Sequence, residues 1–183
     1  MKKVVICANK NKPHMLEAVR ELEPWLRRRA EVFEDREDRP DWEGGPVDFV
    51  AAFGGDGTVL RAARKFSAHK VPIVGINVGK LGFLTETTAD QSREVLADAL
   101  EGRYELAERM MLHCRLERGG EVLVETLGLN DAVISRTSFS RLITIDFLVN
   151  GELVTTYGAD GLIVASPVGS TAHSLAASGP IMH

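Results

Sequence analysis

The sequence predicts an α/β domain with a parallel sheet, followed by a β-rich domain that is incomplete in this chain. The first part alternates apolar runs with helical patterns, whereas the second is a succession of short strand-like runs. An apolar run at 49–53, a helical pattern at 58–67 and an apolar run at 71–76 form a βαβ unit, which requires parallel strands and a right-handed crossover. We therefore expect an α/β domain over 1–102 and the first part of the β-rich domain over 103–183.

The remaining elements of the first domain follow from periodicity. Residues 3–8 form an apolar run typical of a buried strand, and apolar side chains at helical spacing predict a helix over 14–29. Pro24 lies inside that pattern and is expected to kink or split the helix. A short strand over 31–33, a polar loop over 34–46 and a helix over 89–100 complete the domain; Gly102 ends that last helix.

Six strand-like runs follow the boundary near Gly102. Gly119-Gly120 and Asn150-Gly151 are hairpin turn signals between them. The chain reaches His183 just after a further predicted helix, so we expect an open sheet edge in the second domain. The six runs cover residues 111–116, 121–126, 128–134, 142–149, 152–156 and 161–165.

Composition excludes several classes of protein. A net charge of −4 argues against a general nucleic-acid binder, which needs a basic face. No apolar stretch approaches a membrane span and no signal peptide opens the chain, so we expect a cytoplasmic protein without a membrane partner. Cys7 and Cys114 lie far apart in apolar-rich segments and are expected to be reduced core thiols.

The most informative motif is the glycine turn over residues 54–58, Gly-Gly-Asp-Gly-Thr, between a strand and a helix. Glycines allow a ligand close to the backbone, and a helix opening near Thr58 offers N–H groups and a positive dipole end to an anion. Asp56 stands in the middle of this turn, where a simple phosphate site would not carry a carboxylate. It therefore indicates a proton-accepting or metal-binding role.

Other small, acidic and amide residues recur downstream. They comprise the glycine-rich loop over 77–83, the pair Asn130-Asp131, the turn over 158–161 and the segment over 166–174. Each has an ordinary structural explanation when taken alone, such as a turn or a polar strand edge. The stretch 75–81 differs from a Walker A loop in spacing and lacks its hydroxyl, and the five histidines are not spaced like a zinc site.

Taken together and in order, these motifs resemble the NAD kinase family over essentially the whole chain. The GGDGT element at 54–58, the LGF end of the glycine loop at 81–83, the asparagine–acid pair at 130–131 and the DG…SPxGSTA segment at 160–172 all match. This chain has aspartate at 131 where the family more often has glutamate, and His173 where it usually has tyrosine. Family members run longer, which agrees with an incomplete second domain.

The resemblance implies phosphorylation of NAD by ATP at the 2′-hydroxyl of the adenosine ribose, giving NADP, with Mg²⁺ or another divalent cation. Asp56 is the candidate general base, as a carboxylate is in protein kinases. The phosphate donor would lie on the loop of Gly54, Gly55, Gly57 and Thr58. No protein side chain is assigned as a dedicated metal ligand, although Asp56 is a candidate to help order Mg²⁺.

The resemblance also implies roles for the NAD-binding residues. Asn130 and Asp131 would hold ribose hydroxyls, and Asp160 would lie on the nicotinamide side. Arg61, one helical turn after Thr58, would meet either a phosphate or solvent. Arg141 would meet a pyrophosphate, either of its own subunit or of a neighbouring subunit in a dimer or tetramer. The adenine pocket and the rest of the NAD-binding set would comprise Gly57, Phe83, Thr171, Ala172, His173, Ser174 and Ala176.

Two alternatives remain open from the residues. A lipid kinase of the diacylglycerol or sphingosine type shares the GGDGT turn, but it is not expected to carry the segment over 166–174. A non-catalytic NAD-binding module is the second alternative. The sequence leaves open the donor range, the preference between NAD and NADH, regulation and the number of subunits.

Overall fold

The computed structural model describes residues 1–8, 13–35, 42–79, 82–85, 87–137 and 141–183. The chain divides into two compact units, Met1–Glu108 and Arg109–His183. The loop predicted over 34–46 and the LGF match therefore lie partly outside the described residues. None of the described helices is long and apolar enough to span a membrane.

The first unit contains a five-stranded sheet in the order β2-β1-β3-β4-β5, and every neighbouring pair is parallel. The predicted parallel α/β sheet is thus confirmed. Its last strand is a two-residue edge strand that the sequence patterns did not reveal. The strands are β1 (Lys2–Ala8), β2 (Ala30–Glu34), β3 (Phe49–Phe53), β4 (Ile73–Asn77) and β5 (Thr87–Thr88).

Two helices connect strands of this sheet, α1 (Pro13–Arg27) and α2 (Asp56–Phe66), and a third, α3 (Ser92–Glu101), follows β5. Helix α1 continues through Pro24 to Arg27, so the predicted split does not occur. Helix α2 begins at Asp56 and not near Thr58, because Gly55 is extended and its carbonyl accepts hydrogen bonds from the amides of Thr58 (2.9 Å) and Val59 (3.4 Å). Gly102 ends α3 in the left-handed conformation, as predicted.

Helices cover both faces of the sheet, so its strands are buried on both sides. In β1, Val4 and Ile6 pack with α1 and α3, whereas Val5 and Cys7 pack with α2. The chain passes from β1 to β2 on one side of β1 and then crosses to β3 on its other side. The connections between strands therefore change direction between β1 and β3. In open parallel sheets of this kind, ligands bind at that point, outside the carboxyl ends of the strands.

The second unit contains three antiparallel pairs, β6–β7, β8–β11 and β9–β10. All six predicted strands form, but the strand predicted over 128–134 begins only at Asp131, because Gly128 still belongs to the preceding strand. Both hairpin turns are confirmed, with positive φ at Gly119, Gly120, Asn150 and Gly151. The elements are β6 (Leu112–Arg118), β7 (Glu121–Gly128), β8 (Asp131–Ser135), β9 (Ile143–Val149), β10 (Glu152–Ala159), β11 (Gly161–Ala165), a 3₁₀ turn (Val168–Thr171) and α4 (His173–Ala176).

The hairpins of the second unit expose apolar side chains to solvent. Leu123 and Val124 of β7 and Leu153 and Val154 of β10 are each half exposed or more. Two-stranded sheets are marginally stable by themselves, and exposed apolar strands favour association with other chains. None of the described strands of the first unit exposes large apolar side chains in this way, because helices cover its sheet.

We expect residues 1–183 in isolation to self-associate and to be nearly inactive. Size-exclusion chromatography with light scattering measures the association, and residues 1–108 are the matched control. The control fragment should be monodisperse, because its hydrophobic core is made of local partners. A monodisperse and active 183-residue protein would contradict this prediction.

Candidate functional site

The glycine turn after β3 lies at the reversal point of the sheet. Gly54 has φ +157°, and a Cβ atom there would lie 2.2 Å from Oγ1 of Thr58. Its amide donates to the carbonyl of Ile76 at 2.9 Å, which keeps the turn attached to β4. Position 54 must therefore be glycine for α2 to begin this close to the end of the strand.

The Asp56 carboxylate joins this turn to the loop after β4. Its Oδ2 accepts from the amide of Phe83 at 3.0 Å and its Oδ1 from the amide of Leu84 at 2.9 Å. A Cβ atom on Gly82 would lie 2.1 Å from Oδ1, so this glycine permits the close approach. Asp56 is the first residue of α2, where the positive end of the helix dipole favours a carboxylate.

Buried polar side chains hold the same loop from below. The Asn77 amide donates to Oγ1 of Thr85 at 3.0 Å, and that hydroxyl also accepts from the amide of Gly82 at 3.3 Å. Asn77 lies in the loop that the sequence singled out, whereas Thr85 was missed because it lies after the motif. The ring of Phe83 is 81% exposed and available to a ligand.

Arg61 is tied to a buried acidic side chain, Asp35, at the end of β2. The Asp35 carboxylate forms ion pairs with Arg61 and with Lys65, whose Nζ lies 2.6 Å from Oδ1. Arg61 also donates to the carbonyl of Ala8 at 3.4 Å. Burial, and then the charge of Asp35, raise the pKa of the neighbouring Cys7 thiol above its ordinary value. Cys7 is buried and free, as expected, whereas Cys114 is free but only half buried.

In the second unit, a serine and a glycine fix the segment that carries Asn130. The amide of Ser166 donates to the carbonyl of Asn130 at 2.8 Å, and its hydroxyl accepts from the amide of Gly169 at 3.1 Å. A Cβ atom on Gly169 would lie 1.9 Å from the carbonyl oxygen of Asn130. The predicted pair at 130–131 and the predicted segment over 166–174 are therefore brought together.

Two acceptors in this segment are buried without a hydrogen-bond partner among the described residues. They are Oδ1 of Asn130 and Oδ2 of Asp131. Buried polar atoms almost always have a partner, so these two atoms are candidate contacts for a ligand. His173 places its Nδ1 3.3–3.4 Å from the two carboxylate oxygens of Asp131, near the limit of hydrogen bonding.

Asp160 lies at the other end of the β8–β11 pair from Asp131. Ala165 pairs with Asp131, and Gly161, the residue after Asp160, pairs with Ser135. The Asp160 carboxylate is 70% exposed and accepts from Nε of Arg136 at 2.9 Å. Sequence reasoning missed Arg136, because a lone arginine after a strand carries no motif.

The remaining predicted residues lie on the surface or in the last helical turns. Arg141 is exposed. The Thr171 hydroxyl donates to the carbonyl of Val168 at 3.0 Å, and the amide of Gly179 donates to the carbonyl of Ser174 at 2.8 Å. Ala172 precedes α4, which contains His173, Ser174 and Ala176.

The described residues contain no cluster of three or more His, Cys, Asp or Glu side chains that could hold a metal ion by themselves. A doubly wound parallel sheet with a glycine turn and a carboxylate at its reversal point, followed by a β-rich unit with orphaned acceptors, defines a nucleotide-binding α/β protein. Two family models match this chain, the ATP-NAD kinase N-terminal domain over residues 36–104 and the ATP-NAD kinase C-terminal domain over residues 129–183. The chain belongs to the NAD kinase family.

Similar proteins agree with this membership. The NAD kinase of Geobacter metallireducens is 40% identical across the whole chain, which covers 68% of that relative. The NAD kinase of Aromatoleum aromaticum is 46% identical over 76% of the chain and 47% of its own length. The chain thus spans from about half to two thirds of these relatives.

Solved structures confirm the architecture. Yeast NADH kinase complexed with NADH superposes with a TM-score of 0.86 and 25% identity, covering the whole chain and 62% of the yeast protein. An NAD kinase from Archaeoglobus fulgidus in complex with ATP gives a TM-score of 0.72 and 27% identity, covering the whole chain and 68% of that protein. The α/β unit and the β-rich unit are both features of this fold.

We expect Gly169→Ala to lower the free energy of unfolding by about 1–3 kcal/mol, the usual cost of overpacking. Its new methyl group would meet the Asn130 carbonyl, which cannot move without breaking the hydrogen bond from Ser166. Urea denaturation followed by circular dichroism measures the change. Gly128→Ala is the matched control, since a Cβ there would approach only the Asp131 carbonyl at 3.8 Å; equal losses in both variants would contradict the prediction.

Proposed function

We propose that this protein is an NAD kinase that transfers the terminal phosphate of ATP to the 2′-hydroxyl of the adenosine ribose of NAD, forming NADP. The observation that carries the proposal is that two buried acceptors, Oδ1 of Asn130 and Oδ2 of Asp131, have no hydrogen-bond partner in the part of the chain that the structure describes. Ribose hydroxyls are donors that would satisfy both atoms. Relatives named NAD kinase at 40% identity across the whole chain support the same activity.

Asp56 is the proposed general base. A ribose hydroxyl becomes a competent nucleophile when its proton is accepted as the bond to phosphorus forms. Each Asp56 oxygen already accepts one backbone hydrogen bond, from Phe83 or Leu84, and a carboxylate oxygen has a second lone pair for the substrate proton. The two amides hold the carboxylate in one orientation, so that a proton transfer needs no reorganisation of the side chain.

The phosphates of ATP are proposed to lie on the glycine turn. Its residues Gly54, Gly55, Gly57 and Thr58 bring the first turn of α2 to the edge of the sheet, where the positive end of the helix dipole favours an anion. Arg61, one helical turn after Thr58 and paired with Asp35 and the Ala8 carbonyl, is proposed to meet a phosphate at this turn. The complex of the Archaeoglobus fulgidus enzyme with ATP supports a nucleotide at this fold.

A divalent cation such as Mg²⁺ would be held jointly by a carboxylate of this chain and by phosphate oxygens of the substrate. Mg²⁺ usually retains waters and binds through one or two carboxylates together with substrate phosphates. Asp56 is the carboxylate at the phosphate turn that could take part. When bound, the ion would neutralise charge on the transferred phosphoryl group; the residues of this chain supply orientation and the proton acceptor.

The nicotinamide end of NAD is proposed to lie near Asp160. Asp131 and Asp160 stand at opposite ends of the β8–β11 pair, about 16 Å apart for five residue steps of strand. That separation gives an extended dinucleotide two anchoring points. The adenine would lie among Thr171, Ala172 and His173, together with Phe83. The remaining residues proposed to bind NAD are Ser174, Ala176 and Gly57.

The proposal also covers the oligomeric state and the location of the protein in the cell. We propose a homo-oligomer, dimer or tetramer, in which the exposed Arg141 meets the pyrophosphate, including that of a neighbouring subunit. A cytoplasmic location fits the buried, free Cys7.

In the full-length enzyme, replacing Asp56 with Asn should lower kcat by at least about 100-fold, the usual scale for a general base, with little change in the affinity for NAD. Coupled assay of NADP formation measures kcat, and calorimetry measures NAD binding. Near-normal turnover would exclude Asp56 as the base.

The structure requires a control for this variant, because an asparagine Nδ2 cannot accept the amide that Asp56 Oδ2 now accepts. Gly82→Ala disturbs the same loop contact while it retains the carboxylate. We expect Asp56→Asn to be at least about tenfold slower than Gly82→Ala. Equal losses would show that Asp56 acts by holding the loop and not by accepting a proton.

A lipid kinase with the same glycine turn and a non-catalytic NAD-binding module are the remaining alternatives. We expect calorimetry on the full-length protein to show NAD binding and no binding of diacylglycerol or sphingosine. Lipid binding without NAD binding would favour the lipid kinase. NAD binding without NADP formation, in the presence of ATP and Mg²⁺, would favour the binding module.

A further inference from the structure

We propose that Thr85 is a positioning residue for the phosphoryl transfer, because its buried hydroxyl fixes the two backbone amides that orient the Asp56 carboxylate. This inference rests on the proposed function, since it takes Asp56 as the general base. It gives a role in the reaction to a side chain that follows the glycine loop. Thr85 acts through that loop and not by contact with the substrate.

The Thr85 hydroxyl accepts two hydrogen bonds that join the loop to β4. Its Oγ1 accepts from Nδ2 of Asn77, the last residue of β4, at 3.0 Å and from the amide of Gly82 at 3.3 Å. Thr85 and Asn77 are both buried. A hydroxyl oxygen has two acceptor lone pairs, and these two contacts use both. The hydroxyl therefore links a buried strand end to the loop over 82–85.

This link encloses the two amides that face Asp56. Phe83 and Leu84 donate to the Asp56 carboxylate at 3.0 Å and 2.9 Å, and both lie between Gly82 and Thr85. The hydrogen bond from the Gly82 amide to the Thr85 hydroxyl closes these four residues into one short loop. The directions of both amides thus depend on the hydroxyl that closes the loop and ties it to Asn77.

Packing holds the loop against the sheet but does not set these directions. A Cβ atom on Gly75 of β4 would lie 2.7 Å from the Leu84 carbonyl oxygen and 3.2 Å from Cα of Thr85, so the loop backbone lies directly on the strand. The Leu84 side chain packs against the apolar cluster that includes Val59 of α2. Apolar packing is not directional, whereas a hydrogen bond weakens steeply when it is misaligned.

Removing the hydroxyl should therefore disturb the orientation of Asp56 while the loop stays on the sheet. The Asn77 side chain and the Gly82 amide would each lose an acceptor, and a buried donor that loses its acceptor favours a shift of the loop. A catalytic group displaced by about 1 Å can cost about 100-fold in rate. Because the packing at Gly75 persists, we expect a smaller loss, of about tenfold in kcat.

The experiment compares kcat for NADP formation by the full-length enzyme in three variants, each shown by thermal unfolding to be folded at the assay temperature. Thr85→Val keeps the shape without the hydroxyl and should lose about tenfold, whereas Thr85→Ser keeps the hydroxyl and should stay within about threefold of the unsubstituted enzyme. Thr87→Val is the matched control, because Thr87 is also buried and its hydroxyl donates to the carbonyl of Thr88 at 3.5 Å. It should stay within about twofold. If Thr85→Val does not fold, Thr85→Ala takes its place.

A double-substitution cycle with Asp56→Asn tests whether Thr85 acts through the carboxylate. If it does, adding Thr85→Val to Asp56→Asn should lower kcat by less than about twofold, because the proton acceptor to be oriented is already gone. The same loss in both backgrounds would overturn the inference, since Thr85 would then act independently of Asp56.

The remaining outcomes separate this inference from the proposed function. Equal losses in Thr85→Val and Thr87→Val, or a loss in Thr85→Ser as large as in Thr85→Val, would also overturn the inference and leave the NAD kinase proposal intact. Normal turnover in Thr85→Val would do the same. Absence of NADP formation by the unsubstituted full-length protein, with ATP and Mg²⁺ present, would overturn the proposed function itself.

Discussion

The position of α2 depends on one buried carboxylate, Asp35, and its two cationic partners. Arg61 and Lys65 lie one turn apart on the face of α2 and both reach Asp35, whose own amide donates to the carbonyl of Ile6 at 2.9 Å. Removing one partner of a buried ion pair is strongly destabilising, because it leaves an uncompensated charge. The cluster thus joins β1, β2 and α2 at the carboxyl edge of the sheet, where the glycine turn presents Asp56.

At that edge, hydrogen bonds between backbone amides and side chains hold the candidate site together more than pairs of side chains do. The Asp56 carboxylate holds the loop after β4 through the amides of Phe83 and Leu84, and Gly82 allows the approach. A glycine also allows a close approach in the second unit, where Gly169 lies against the Asn130 carbonyl. At both places a glycine is required by space and not by a turn conformation, so the glycine-rich motifs serve to bring acceptors to defined positions.

Most of the regular structure was predictable from the sequence, because apolar periodicity reports which face of an element is buried. The parallel sheet, six strands of the second unit and two hairpin turns followed from pattern. The start of α2 at Asp56 did not, since Gly55 capped the helix earlier than the apolar pattern begins. The unbroken α1 through Pro24 was also missed, because packing in the core overrides a local propensity.

The sequence by itself determined the family, the order of the motifs and the candidate residues, since these depend on residue types at fixed spacing. Only the tertiary structure decided which of them touch. It paired Arg61 with Asp35, Arg136 with Asp160 and His173 with Asp131. Among the described residues, it left Oδ1 of Asn130 and Oδ2 of Asp131 without a hydrogen-bond partner. Such contacts join residues that are tens of positions apart in the chain, and hydrogen-bond distance and burial are set by the packing of whole elements rather than by local sequence.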